Sequence, residues 1–175
     1  MRSSGPTDSW GGFNLTQQED FTFVVDGKLL VDERSGGIYF WATFLPKKLG
    51  PASAYPIGIR DGAGRLLSGQ KHYRLHVPND VPVRDFWSVI VYSMKTKSMI
   101  PNALDRAGLS SYDKSKLHVD ADGSVDIHFG PNAPAGMESN WIPTGEDFFL
   151  LFRLYGPEEA FVNRTWKLPD IEEMK

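Results

Sequence analysis

The run "FFLLFRLY", residues 148–155, constrains the fold more than any other stretch of the chain. An extended strand alternates its side chains between two faces, so Phe148, Leu150, Phe152 and Leu154 share one while Phe149, Leu151, Arg153 and Tyr155 share the other. Both faces are expected to be buried, which makes Arg153 the awkward residue. An unpaired charge in such a place costs several kcal/mol. Arg153 is therefore expected either to pair with Asp147, Glu146 or a loop carbonyl, pinning the 130–147 connection, or to face a cavity where a ligand supplies the partner.

A chain of 175 residues fits a single domain of ordinary size. Its formal charge of −3 and the lack of a Lys/Arg stripe exclude a nucleic-acid partner. The absence of cysteine removes disulfides, thiolate chemistry and cysteine zinc sites together. "MRSSGPTDSWGG" has no apolar core, and no run approaches the roughly 18 apolar residues of a membrane helix, so no membrane span is expected. The compartment stays open: periplasmic or secreted if a leader was removed, cytoplasmic otherwise.

Strand signals recur throughout and helical periodicity is nearly absent, which predicts an all-β fold with long loops and little helix. "FTFVVDGKLLVD" reads as a hairpin with a two-residue Asp26-Gly27 type I′ turn between Val25 and Lys28. Residues 36–46, 54–77 and 86–93 supply further strands, the second as two strands joined by Gly-rich turns. In "KLHVDADGSVDIHF" a loop over 121–123 with Gly123 in the left-handed position sets Val119 opposite Val125 and Leu117 opposite Ile127, predicting a bulged hairpin. "GPEEAFVN" reads as one helical turn with Pro157 first, and "LPDIEEMK" as a frayed tail. The organisation expected is an N-terminal extension over 1–50, carrying the hairpin and part of the same domain, followed by a β-sandwich over 51–175.

Several constellations carry candidate chemistry. The polar face of the 116–129 hairpin places His118, Asp126 and His128 together, imidazoles and a carboxylate that could hold zinc or manganese; the competing reading is a solvated face with His118–Asp126 cross-strand pairing. His72, Arg74 and His76 share another strand face, where the central cation disfavours a metal. "DADGS" lacks the full calcium-loop pattern, and "GAGRLLSG" does not match a dinucleotide fingerprint. Asn14 and Asn163 fit the glycosylation acceptor pattern. Of the tryptophans, most are assigned to the core; Trp141, beside Asn140 in a long loop before the Arg153 strand, is the exception and a candidate stacking platform for sugars or other flat ligands.

"FWSVIVYS", "DADGSVDIHFGPNAPAG" and "NWIPTGEDFFLLFRLYGP", with Trp166 to Pro169 after them and "YPIGIRDGAGRLLSGQKHYRLHVP" before, resemble the bacterial domain-of-unknown-function family numbered twelve-fourteen over roughly residues 54–170. The resemblance implies a jelly-roll-like antiparallel β-sandwich, often following a domain of family twelve-fifty-four, and carries no catalytic residues. By resemblance Asn140, Trp141, Pro143, Arg153 and Tyr155, with Phe86, Trp87 and Ser88, occupy signature positions.

The functional expectation is a ligand-binding or interaction module without a cofactor. Its cleft would be bounded by Trp141, Arg153 and the 95–113 loop, with Asn140 and Tyr155 as further contacts, and would take a small molecule or carbohydrate. The alternative is a hydrolase-type enzyme, metal-assisted through His118, Asp126 and His128. A homo-oligomer closed by "SGGIYFWATF" is a third expectation.

Overall fold

The computed structural model describes residues 53–175 and, of the first 52, three backbone segments: β1 (Trp10–Gly11), β2 (Val24–Val25) and β3 (Lys28–Leu29). Val25 stands opposite Lys28, the register of a two-residue connection. The Asp26-Gly27 turn itself, the 36–46 strand region, Asn14 and the "SGGIYFWATF" segment lie outside the described residues.

The later strands are β4 (Ser53–Ala54), β5 (Ile57–Gly58), β6 (His72–Val77), β7 (Val83–Ser93) and β8 (Gly108–Ser110). They are followed by β9 (Val125–Gly130), β10 (Trp141–Pro143), β11 (Phe148–Pro157) and β12 (Glu172–Met174). The large sheet runs β1-β5-β11-β7-β8, with β4 also on β11; the small sheet runs β10-β9-β6-β12 and is antiparallel except for the parallel pair β9–β10. The result is an all-β sandwich with one short helix among the described residues, α1 (Glu159–Val162).

Alternation along β11 and β7 sets the layers. Phe148, Leu150, Phe152 and Leu154 are sealed against Trp87, Val89 and Val91 from the same sheet and Tyr73, Leu75, Ile127 and Phe129 from the other. Phe148 meets Tyr73 edge-on at 5.8 Å, and Trp87 stacks on Phe152 at 5.6 Å. Each fully buried aromatic of this kind contributes roughly 1.5–3 kcal/mol. On the outer face Phe149 is buried, but Leu151, Arg153 and Tyr155 are only half-buried, so the second face of β11 is partly open.

Three local expectations change. The predicted hairpin over 116–129 stops at its turn: Gly123 is left-handed at φ 86° and Asp120 N–H bonds Ser124 O at 3.0 Å, yet β9 pairs with β6 and β10 instead of residues 116–119. The helical turn begins at Glu159 after a Glu158 cap, because Pro157 still belongs to β11. The "frayed tail" is β12: Ile171 is fully buried in the core, and the next residues pair with β6.

Candidate functional site

Register places a short polar row on the outer face of the large sheet. Arg153 faces Ser88, which faces Ser110; on one side of this row Tyr155 faces Phe86, and on the other Leu151 faces Ile90, which faces Gly108. Phe86 and Tyr155 stack at 4.2 Å and 11°, and Tyr112, 72% exposed, packs on Phe86 at 4.7 Å. The Arg153 guanidinium carbon lies 5.5 Å from the Tyr55 ring centroid and 5.0 Å from that of Tyr155, and its Nη2 donates to the Tyr155 hydroxyl.

These ring contacts are worth roughly 0.5–1 kcal/mol each at partly exposed sites, less than the cost of withdrawing a guanidinium from water. No carboxylate of the described residues forms an ion pair with Arg153. Asp147, one expected partner, instead accepts from the Gly69 N–H at 3.3 Å. The Ser88 hydroxyl, buried beside Arg153, also has no partner among the described residues. Such a group costs roughly 1–3 kcal/mol, so it calls for an explanation.

Pinning of the 130–147 connection falls to another arginine. Nη1 of Arg106 donates to Glu138 O at 2.7 Å and to Trp141 O at 3.1 Å, tying the 95–113 loop to the 3-10 turn Glu138–Asn140. The loop is itself ordered by Asn102, whose carboxamide accepts from Leu104 N and Arg106 N and donates to Arg106 O at 2.7 Å.

Asn140 is fully buried and explains why the hairpin opens. Its Oδ1 accepts from His118 N at 2.8 Å, while Nδ2 donates to His118 O at 2.8 Å and Asp126 O at 2.9 Å. The carboxamide therefore stands where the predicted His118–Asp126 rung would be. Beyond it, β10 occupies the edge of β9, with Trp141 opposite His128. The Trp141 indole N–H donates to Gly130 O at 3.0 Å, laying the ring across β9.

Trp141 and Arg153 thus lie on opposite outer faces of the sandwich and do not bound one cleft. Nor do His118, Asp126 and His128 form a metal cluster: no group of three His, Cys, Asp or Glu suited to a metal occurs among the described residues. Asp126 Oδ1 bonds His76 Nδ1 at 2.7 Å and its Oδ2 faces Arg74 at 3.2 Å; Arg74 also holds Glu172 at 2.6 Å. His118 faces Asp120 at 3.8 Å. His128 is 7% exposed, with Nε2 unpartnered; burial chiefly, and the Arg74 charge, lower its pKa from the usual 6.5 against the pull of Asp126. No serine or threonine hydroxyl of the described residues bonds a histidine.

Ser88 and Phe86 could be placed on the Arg153 face from alternation once register is known. Tyr55 and Tyr112 come from other segments and carry no sequence signal of this role.

The model of the family described as "Protein of unknown function (DUF1214)" matches residues 52–159, more than half of the chain. The chain belongs to DUF1214. Every strand of the DUF1214 domain from β4 to β11 lies within the match, including Arg153 and the residues of its row. The DUF1214 domain is similar in structure to the VPA0106 protein from Vibrio parahaemolyticus, with a TM-score of 0.60 at 25% identity over 71% of this chain and 31% of that one. An uncharacterised protein from Burkholderia cenocepacia aligns at a TM-score of 0.44 and 21% identity, over 73% of this chain and 31% of its own. The chain therefore spans about a third of the length of these two relatives. A comparison with curated proteins finds no match.

Proposed function

We propose that this DUF1214 domain is a ligand-binding module whose site is the Arg153 row, and that it takes a small molecule bearing a carboxylate. The observation that carries this reading is a half-buried guanidinium, held by Tyr55 and Tyr155, with no acidic partner among the described residues. A planar guanidinium engages a carboxylate through two parallel hydrogen bonds, which Lys cannot reproduce. The tyrosine rings fix the fork in advance, reducing the entropy lost on binding. The unpaired Ser88 hydroxyl beside it offers a further donor to a bound oxygen once Arg153 shifts toward the ligand. As part of the same reading, the first 50 residues belong to one unit with the sandwich, which the pairing of β1 with β5 supports.

Titration calorimetry with acetate, benzoate and succinate tests the proposal. Saturable binding of at least one, weakened tenfold or more by Arg153→Met and only partly retained by Arg153→Lys, is the expected result. If none binds, and Arg153→Met melts well below the parent as loss of a structural ion pair would cause, Arg153 is a packing residue and the reading is wrong.

A further inference from the structure

Beside the Arg153 row lies an open depression of about 530 Å³, lined by Ile90, Met99, Ile100, Pro101, Leu104 and Gly108 among others. Two of these residues belong to the row next to Arg153: Ile90 faces Leu151 across β7–β11 and Gly108 across β7–β8. Gly108 is needed for this floor, since a Cβ there would stand 2.7 Å from Val89 O and 3.2 Å from Ile90 Cγ1. Met99 and Leu104 are 54% and 52% exposed, large apolar side chains without full cover. The loop that presents them is held by Asn102 and by Arg106 on the Glu138 and Trp141 carbonyls, so the depression exists before any ligand arrives.

From strand spacing, Ile90 lies about 8 Å from Arg153 between Cα atoms, one strand across and two residues along. The guanidinium leans the other way, over Tyr55 and Tyr155, so that a head shared with this trough requires the Arg153 side chain to swing across Ser88. A cation at one end and an apolar trough at the other suit an amphiphile, because a pocket with an apolar lining and few polar groups fixes orientation through those few. Asp105 at the rim of the depression repels an anionic head there, and the Arg106 guanidinium is engaged by carbonyls, so the head belongs at Arg153.

We infer that the ligand is an alkyl carboxylate, its head on Arg153 and its chain running over Ile90 into the Met99–Leu104 depression. This rests on the reading of Arg153 as a carboxylate site and adds the chain to it.

The test compares acetate with octanoate by calorimetry on the parent protein, Arg153→Met, Met99→Glu and Leu104→Glu; the two glutamates replace exposed side chains, and their melting temperatures are checked against the parent. Octanoate is expected to bind at least tenfold more tightly than acetate. Either glutamate should weaken octanoate fivefold or more while leaving acetate unchanged, and Arg153→Met should weaken both. Equal affinity for acetate and octanoate overturns the chain inference and leaves the carboxylate site standing. Octanoate binding indifferent to both glutamates also overturns it, because the chain then lies elsewhere. No binding of either compound removes both readings. A dimer in sedimentation that Leu104→Glu dissociates assigns the depression to self-association and overturns the inference as well.

Discussion

The two outer faces of the sandwich handle an arginine in opposite ways. On the small sheet Arg74 lies in a row with Glu172 and His128, and its guanidinium meets two carboxylates, one of them also held by His76. On the large sheet Arg153 meets two tyrosines and stands opposite a serine with no hydrogen-bond partner among the described residues. The first arrangement has its charges paired: Arg74 and Asp126 each have their opposite within 3.2 Å, while Arg74 Nε and His128 Nε2 are buried without a hydrogen-bond partner among the described residues. The second is open, and an open cation on a sheet face is what a carboxylate can complete. The same residue type is thus a salt-bridged brace on one face and, among the described residues, a cation without a carboxylate on the other, distinguished only by its neighbours.

The largest effect that would sharpen this contrast is expected at Asn140, which sits where the small sheet meets the 117–120 segment. Asn140→Ala strands the His118 N–H and the carbonyls of His118 and Asp126, costing about 2–4 kcal/mol. Urea denaturation should show the midpoint falling with little change in slope; a variant as stable as the parent would mean that water replaces the carboxamide and that the small face is less closed than described.

Acid should act on the same face. Because the folded pKa of His128 is lowered, the unfolded chain binds its proton more readily, so this contribution to stability is present above about pH 6.5 and is lost as pH falls through the folded value. The melting temperature is expected to drop between pH 7 and pH 5, and His128→Leu should flatten that segment of the curve. A parallel curve for the variant would assign the acid loss to other groups.

Arg74→Met should cost about 1 kcal/mol, a figure held down by the 35% exposure of its side chain. Arg153→Met and Ser88→Ala should lie within about 0.5 kcal/mol of the parent, since one removes a charge with no acidic partner among the described residues and the other a hydroxyl with no hydrogen-bond partner among them. Denaturation of the three variants side by side checks the ranking. If Arg153→Met proves the most damaging, the contrast between the faces is reversed.

Much of the architecture was legible in the chain. Period-two alternation set Phe148, Leu150, Phe152 and Leu154 on one face of β11, residues 86–93 read as a strand, and the left-handed Gly123 followed from requiring Val119 and Val125 to share a face. The Asp120–Ser124 turn formed as expected, but the ladder beyond it did not, because local pattern cannot know that Asn140, distant in sequence, will insert its amide. The tail was misread for the same reason: "PDIEEMK" looks frayed until Ile171 finds the core and β6 offers an edge.

Sequence by itself determined which side chains share a face, since strand alternation is a local property of the backbone, and with it the all-β class and the family signature. Tertiary structure alone decided which strands became neighbours, and so who meets Arg153, why Trp141 lies on the opposite face, and why Arg106 pins the long connection. Pairing depends on competition among distant segments for the same hydrogen bonds and apolar surface, and that competition is settled only when the whole chain has packed.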